Sequence, residues 1–114
     1  MEHYILNNGM QIPVIGIGTN TFGKEGNVFS AEINGDTKEL KTAIEVGYRL
    51  IDTAIMYRNE AVIGKAIKES KIDRKEFFVT SKIPNKPEYI GTDDAVHEAV
   101  RFSLSNLGTD TLDL

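Results

Sequence analysis

Three side chains in the middle of the sequence, those of Asp52, Tyr57 and Lys82, are of the types needed to protonate a carbonyl oxygen that receives a hydride. The oxygen develops negative charge during such a transfer, and a proton donor within hydrogen-bond reach stabilises it. The Tyr57 phenol could be this donor if a nearby ammonium, that of Lys82, favoured its phenolate form. The Asp52 carboxylate would keep Lys82 charged and fix its direction, while its second oxygen could accept a ribose hydroxyl.

The three residues lie at or just after the ends of two short apolar runs. Asp52 ends the run Arg49–Thr53, Tyr57 follows in the next loop, and Lys82 ends the run Phe77–Lys82. Runs of this length are typical of strands, and the carboxyl ends of neighbouring parallel strands meet at one rim. Each residue alone has an ordinary explanation: a strand-end cap, a packing tyrosine and a solvated lysine. Their joint placement predicts that they converge on one rim.

The residues before this cluster predict a hairpin, a strand and a helix. The hairpin, over residues 1–13, is indicated by Asn7–Gly9 between two short apolar runs, because Asn and Gly tolerate positive φ. The run Val14–Thr19 is too short for a helix and predicts a strand buried on both faces. Asp36 is placed as the N-cap of a helix that Gly47 ends.

The residues after the cluster predict two more helices and the beginning of a strand. Asn59 is expected to cap the second helix, and Gly64 inside that helix indicates close packing against a neighbour. The third helix begins at Asp93 and is closed by Gly108. Leu112–Leu114 is expected to begin a fourth strand. The third helix has an apolar stripe that is expected to face the core: Val96, Ala99, Val100, Leu104 and Leu107.

Strands that alternate with helices predict an α/β protein with a parallel sheet, either open or closed into a barrel. The open form often carries a dinucleotide fingerprint, but Thr21 stands where the third glycine would be and no capped helix follows directly. This mismatch disfavours a Rossmann domain. Gly16 and Gly18 allow either tight packing inside a barrel or close approach of a cofactor, and the sequence pattern does not choose between the two.

Composition limits the possible functions. A chain of 114 residues with 40% apolar residues is long enough for one core. A net charge of −4 provides no basic surface for nucleic acid. The absence of cysteine excludes disulfides, and His3 and His97 are too far apart to indicate a metal pair. Without a signal or a membrane-length apolar run, we expect a soluble cytoplasmic protein that does not bind membranes.

The motifs of the cluster resemble those of the aldo-keto reductase superfamily. The segment Gly47–Glu60 reads Gly-Tyr-Arg-x-Ile-Asp-Thr-Ala and then Tyr-x-Asn-Glu, which is similar to the family signature around its catalytic tyrosine. Thr80–Lys82 resembles the family's lysine motif. Gly16–Asn20 resembles its cofactor-contacting Gly-x-Gly-Thr segment, and residues 1–13 resemble the hairpin that closes the bottom of its barrel. The resemblance covers the whole chain, in order.

The resemblance implies the N-terminal portion of a (β/α)8 TIM barrel, formed by a β-hairpin and about three and a half βα units. Residues 1–114 would be one partial-barrel domain, with the hairpin in residues 1–13. Residues 14–114 would contain strands 1–3, helices 1–3 and the start of strand 4. The implied reaction is the NADPH-dependent reduction of small aldehydes and ketones to alcohols by hydride transfer.

The resemblance also assigns roles to residues of this sequence. Three members of the family's catalytic tetrad would be Tyr57, Lys82 and Asp52. No metal is implied. The residues implied in cofactor binding are Gly18, Thr19, Asn20 and Asp52.

Some family features are replaced in this sequence or not found in it. The family's fourth catalytic residue is a histidine shortly after a Leu-Asp-Leu such as Leu112–Leu114, and neither His3 nor His97 is placed to substitute for it. Leu50 and Pro84 replace a histidine and a tryptophan common in relatives, which affects the expected substrate preference rather than the chemistry.

Two functions from different classes follow from the sequence. The chain is either the N-terminal part of a reductase, inactive alone, or a non-catalytic half-barrel that acts as an interaction module. Uncovered strand edges predict self-association in either case.

Overall fold

The computed structural model describes residues 1–114, and short strands alternate with helices along the chain. The strands are β1 (His3–Ile5), β2 (Gln11–Pro13), β3 (Gly16–Gly18), β4 (Leu50–Asp52) and β5 (Phe78–Thr80). The helices are α1 (Lys38–Glu45), α2 (Glu60–Glu69), α3 (Pro87–Ile90) and α4 (Asp93–Leu107). Single 3₁₀ turns lie at Glu25–Asn27, Ile55–Tyr57 and Arg74–Glu76.

The chain opens with the predicted hairpin. β1 and β2 pair antiparallel, with Ile5 opposite Gln11. The turn is closed by a hydrogen bond of 2.8 Å from the Leu6 N–H to the Met10 carbonyl. Gly9 has a φ of 84°, a conformation that glycine adopts without steric cost. The Asn-Gly signal therefore identified both the turn and its position.

The second sheet is parallel, in the order β3-β4-β5. In its register Gly18 lies opposite Asp52, and Asp52 lies opposite Thr80. This arrangement confirms the predicted parallel α/β class. Because the strands run in the same direction, the residues that follow them emerge at the same edge of the sheet.

The hydrophobic core lies between this sheet and three of the helices. Ile51 of β4 and Val79 of β5 are almost completely buried, and they pack in one cluster with Leu40 of α1, Ile63 of α2 and Leu107 of α4. Burial of an aliphatic side chain of this size contributes about 1.5–3 kcal/mol to stability. The core therefore holds the strands in register. It also fixes the edge of the sheet at which the residues that follow the strands emerge.

Gly64 lies where α2 and α4 come closest. A Cβ on Gly64 would be 2.3 Å from the carbonyl oxygen of Leu107, a separation that no real Cβ tolerates. The sequence-based expectation of close packing at this glycine is confirmed. The contact fixes α2, which begins three residues after Tyr57, against the end of α4.

Three predictions about burial and strand extent were wrong. β3 is exposed or half-buried instead of buried on both faces, because β4 is its only strand neighbour. Val100, expected in the core, is 37% exposed, and Ser103 is buried on that helix instead. Leu112–Leu114 is not a strand, although the Leu114 N–H donates to the Val79 carbonyl and the Leu114 carbonyl accepts from Ser81.

Candidate active site

The parallel sheet and the turns after its strands position the three candidate catalytic residues. Asp52 is the last residue of β4, and Tyr57 ends the 3₁₀ turn that follows it. Arg58 then adopts a left-handed conformation with a φ of 61°, which turns the chain into α2. Lys82 lies two residues beyond β5. Since β4 and β5 are adjacent and parallel, all three residues emerge at the same edge.

The Lys82 ammonium is the centre of the cluster. Its Nζ donates to both carboxylate oxygens of Asp52, at 2.8 and 2.9 Å, and to the carbonyl of Thr53 at 2.9 Å. It also lies 3.4 Å from the hydroxyl of Tyr57. The side chains of Lys82 and Asp52 are 49% and 40% exposed. The structure thus brings together the three residues singled out by sequence and leaves them open to a ligand.

The surroundings of Lys82 favour its charged form. Partial burial lowers the pKa of Lys82, but hydrogen bonds and charge attraction from Asp52 and Tyr57 outweigh burial and hold the pKa above its ordinary value. The ammonium is therefore charged near neutral pH and lies beside the Tyr57 oxygen, where it can stabilise negative charge that develops during a proton transfer.

The candidate cofactor residues differ in their access to a ligand. Gly18 lies opposite Asp52, and a Cβ there would meet no atom within 4 Å. Asn20 is exposed. Thr19, in contrast, is fully buried, and its hydroxyl donates to the Asp52 carbonyl at 2.9 Å. The Thr19 side chain therefore faces β4 and ties the strand that carries Asp52.

Asn59 was expected to be a helix cap, but the structure gives it a different task. Asn59 occupies the N-cap position of α2, but its side chain makes no capping hydrogen bond and is fully buried. Its Nδ2 donates to the carbonyls of Thr19, at 2.7 Å, and Phe22, at 2.9 Å, and its Oδ1 accepts from Thr53 at 3.4 Å. Asn59 thus ties together the segments after β3 and β4. Its sequence signal, a polar residue before a helix, does not distinguish this role from capping.

A second group missed by sequence reasoning holds the long segment after β3. Lys24 is only 2% exposed, and its Nζ donates to the carbonyls of Asn20 and Phe29 at 2.8 Å each. The same Nζ lies 4.1 Å from the centre of the Phe29 ring. Burial, and then the charge of Arg58, lower the pKa of Lys24 below its ordinary value. The ammonium is held by carbonyl groups and an aromatic face instead of a carboxylate.

This segment also touches the candidate catalytic tyrosine. The Arg58 Nη2 donates to the carbonyls of Phe29, at 2.8 Å, and Ala31, at 3.0 Å. The rings of Phe29 and Tyr57 meet edge to face, with centres 6.0 Å apart. Phe29 is 45% exposed. The segment is therefore folded back beside Tyr57, although its sequence predicts no regular element.

Other possible sites are few. His3 lies exposed in β1 and His97 lies exposed on α4, and neither hydrogen-bonds to the cluster around Lys82. No group of three or more His, Cys, Asp or Glu side chains is arranged to hold a metal ion. No helix has both the length and the apolar character needed to cross a membrane.

Comparison with known proteins identifies the family. The statistical model of the Aldo/keto reductase family matches residues 14–114. The glyoxal reductase of Bacillus subtilis (strain 168) is 42% identical over 111 residues, a match that covers 96% of this chain and 36% of that protein. The chain spans about a third of the length of the curated relatives it matches.

Solved structures give the same result. An aldo-keto reductase from a Medee basin deep-sea metagenome superposes with a TM-score of 0.76 at 41% identity, over 96% of this chain and 36% of that one. The Bombyx mori aldo-keto reductase, solved in complex with NADP, superposes with a TM-score of 0.79 at 35% identity, over 97% and 36%. These findings confirm the resemblance that the motifs indicated. The chain belongs to the aldo/keto reductase family of oxidoreductases and corresponds to the N-terminal third of their (β/α)8 barrels.

Proposed function

We propose that residues 1–114 form one partial-barrel domain that supplies the proton donor of an NADPH-dependent carbonyl reductase, acting on small aldehydes and ketones. The observation that supports this function best is the position of the Lys82 Nζ, bound to both oxygens of Asp52 and 3.4 Å from the Tyr57 hydroxyl. Tyr57 is the proton donor, Lys82 stabilises the phenolate left behind, and Asp52 holds Lys82. These are the residues that the family resemblance implies.

The proton step follows from this geometry. A substrate carbonyl oxygen that accepts a hydrogen bond from the Tyr57 hydroxyl receives the proton as negative charge develops on it. Loss of that proton leaves a phenolate next to the Lys82 ammonium, which a charge at this separation stabilises. Asp52 prevents Lys82 from turning away, because both carboxylate oxygens are bound to its Nζ. The same position of Lys82 serves the reverse reaction.

The residues at the open edge fit a nicotinamide cofactor. The space in front of Gly18 is open, and it adjoins the partly exposed carboxylate of Asp52, opposite Gly18 in the register. A bound NADPH would supply the hydride that reduces the carbonyl carbon. Gly18 would let the cofactor approach the strand, Asp52 could accept a ribose hydroxyl, and Asn20 is exposed at the end of the same segment.

We expect the 114-residue chain by itself to show no NADPH-dependent reduction, because it spans only about a third of the relatives it matches. The alternative, a non-catalytic half-barrel that binds another chain, is supported by the open edges of the parallel sheet. The two functions differ in whether Tyr57 matters once the barrel is complete. Turnover by the isolated chain that Tyr57→Phe abolishes would contradict the first expectation.

A fusion protein tests the catalytic function directly. Residues 1–114 would replace the matching third of the Bacillus subtilis glyoxal reductase, which is 42% identical over that region. We expect the fused barrel to reduce glyoxal with NADPH, and Tyr57→Phe to lower kcat about 10²–10⁴-fold, the usual contribution of a general acid. The measurement is the rate of NADPH consumption, followed by the loss of the ultraviolet absorbance of the reduced nicotinamide.

A second tyrosine provides the matched control. Tyr4 is 68% exposed in the hairpin and makes no side-chain hydrogen bond, so Tyr4→Phe should leave kcat unchanged. Thermal unfolding of each variant checks that it is folded. A folded fusion that binds NADPH but turns over no faster than its Tyr57→Phe variant would rule out the proposed role of Tyr57 and favour the interaction module.

A further inference from the structure

Glu60, the first residue of α2, is a buried carboxylate that the proposed mechanism does not use. It is 3% exposed and forms no salt bridge. Its Oε2 accepts a hydrogen bond of 2.8 Å from the Ser81 hydroxyl. Position in the first turn of a helix favours a negative charge, but only in part offsets the cost of removing a carboxylate from water. A neutral residue would avoid that cost. The position of Glu60 relative to the candidate active site is therefore informative.

The bond from Ser81 to Glu60 joins the two segments that carry the candidate catalytic pair. Glu60 follows Tyr57 by three residues, at the start of α2. Ser81 directly precedes Lys82, beyond the end of β5. The backbones of these segments also meet where the Ile55 N–H donates to the Lys82 carbonyl at 3.2 Å. The Ser81–Glu60 bond adds a side-chain tie from the helix.

We propose that Glu60 and Ser81 are positioning residues that hold the Lys82 side chain within reach of Asp52 and the Tyr57 hydroxyl. This inference rests on the proposed function for its meaning, but the geometry it invokes exists without a cofactor. The tie holds the Ser81 side chain and so restrains the backbone of Ser81, which sets the direction in which Lys82 leaves the sheet. Without it, the course of Lys82 is set by the exit of β5 and by two backbone hydrogen bonds, from the Ser81 N–H to the Leu114 carbonyl at 3.0 Å and from the Ile55 N–H to the Lys82 carbonyl at 3.2 Å.

Direct electrostatics does not explain the arrangement. The groups that raise the pKa of Lys82 are Asp52 and Tyr57, and Glu60 is not among them. Any effect of Glu60 on Lys82 must therefore be transmitted by position. This separates the proposal from a general role of Glu60 as an acidic residue at a helix start, which would stabilise α2 without changing the titration of Lys82.

The test uses the 114-residue chain with ¹³C-labelled lysines. The Cε resonance of Lys82, assigned with Lys82→Met, reports its protonation as pH rises. Ser81→Ala removes the tie, so Lys82 should lose part of its contact with Asp52 and Tyr57, and its acid dissociation constant should rise about threefold or more. Ser81→Thr keeps the hydroxyl and Glu60→Gln keeps an acceptor, so both should leave the constant close to that of the wild type.

Ser70→Ala is the matched control. It removes a hydroxyl that donates to the Ile67 carbonyl at the other end of α2, and it should not change the titration of Lys82. Glu60→Asp is a second test in case Ser81→Ala does not fold. It keeps the charge but shortens the side chain by one methylene, so it should raise the dissociation constant of Lys82 as Ser81→Ala does.

Each outcome decides the proposal. A rise in the constant in every test variant that folds, Ser81→Ala and Glu60→Asp, with none for Ser70→Ala, supports it. An unchanged constant in either folded test variant, an equal rise in Ser70→Ala, or a wild-type chain without a folded spectrum overturns it. The titration requires no turnover, so the two proposals can fail separately. An inactive fusion protein would contradict only the proposed function. An active fusion protein, together with an unchanged dissociation constant of Lys82 in Ser81→Ala, would contradict only the positioning role.

Discussion

Gly16 and Gly18 stand two positions apart on β3, but their missing side chains have different consequences. A Cβ on Gly16 would lie 2.6 Å from the Leu50 side chain, whereas a Cβ on Gly18 would meet no atom within 4 Å. We expect Gly16→Ala to lower the free energy of unfolding by about 1–3 kcal/mol through overpacking. Gly18→Ala should leave it unchanged or raise it by about 0.4–1 kcal/mol, because alanine restricts the unfolded chain. Urea unfolding of the two variants measures both effects.

The variants Gly16→Ala and Gly18→Ala also distinguish a glycine that is needed for packing from one that is needed for the approach of a cofactor. In the fusion barrel, Gly18→Ala should weaken NADPH binding about tenfold, or 1.4 kcal/mol, with no loss of stability. Gly16→Ala serves as the control, since its effect should appear in stability first. An NADPH affinity unchanged by Gly18→Ala would mean that the open space beside Asp52 is not where the cofactor lies.

Among single residues, the sequence predicted the exposed catalytic candidates better than the buried residue that holds their segments together. Asp52, Tyr57 and Lys82 could be selected because their types suit one reaction and their positions follow strands. The ties of Asn59 could not, because its Nδ2 reaches the carbonyl of Thr19, which is 40 residues away in the chain. Such a partner is defined only when β3 and α2 have come together, and no local pattern records it.

Among the elements, the segment from Asn20 to Gly35 is held in part by the buried side chain of Lys24. Its Lys24 ammonium is buried, and burial followed by the Arg58 charge lowers the pKa of Lys24 below the ordinary 10.5. The folded chain therefore binds fewer protons at Lys24 than the unfolded chain between the two pKa values. Stability rises with pH in that window, because the unfolded state carries the extra protons.

We therefore expect the wild type to gain in free energy of unfolding relative to Lys24→Met as pH rises toward about 10.5. Chemical unfolding at a series of pH values measures this difference, in which the titration of Lys82 cancels because both proteins contain it. Lys86→Met is the control: Lys86 is exposed, so its difference from the wild type should be independent of pH. A difference for Lys24→Met that stays constant or shrinks would contradict the burial of a charged Lys24.

The elements themselves were predicted where local signals agree with packing. The Asn-Gly turn marked the hairpin, and Gly108, with a φ of 67°, ended α4 where the sequence indicated. The prediction that β3 is buried was wrong because the burial of an apolar strand depends on the elements that pack against it, which its own sequence does not show. The short helix α3, which begins at Pro87, carries no long apolar period and was not predicted.

The molecule as a whole is flat, with extents of 39 × 39 × 20 Å. Helices α1, α2 and α4 pack with β4 and β5 in one core, but β3 has a strand neighbour on one edge only. Parallel sheets in α/β proteins are normally covered on both faces, and open strand edges are templates for pairing. Large apolar side chains are exposed in the hairpin and beside β3: Met1, Tyr4, Ile5, Met10 and Ile15.

These features predict that the chain associates with itself. Sedimentation analysis should give an average mass that rises above 12.7 kDa as concentration increases. Ile15, 56% exposed and next to the open edge of β3, should be part of the contact, so Ile15→Lys should shift the equilibrium toward monomer because a charge at an edge opposes pairing. Val46→Lys is the control, because it places the same charge directly after α1, at a residue that is 72% exposed. This variant should not shift the equilibrium toward monomer. A concentration-independent monomer with a cooperative thermal transition would show that the open edge is tolerated by the folded chain.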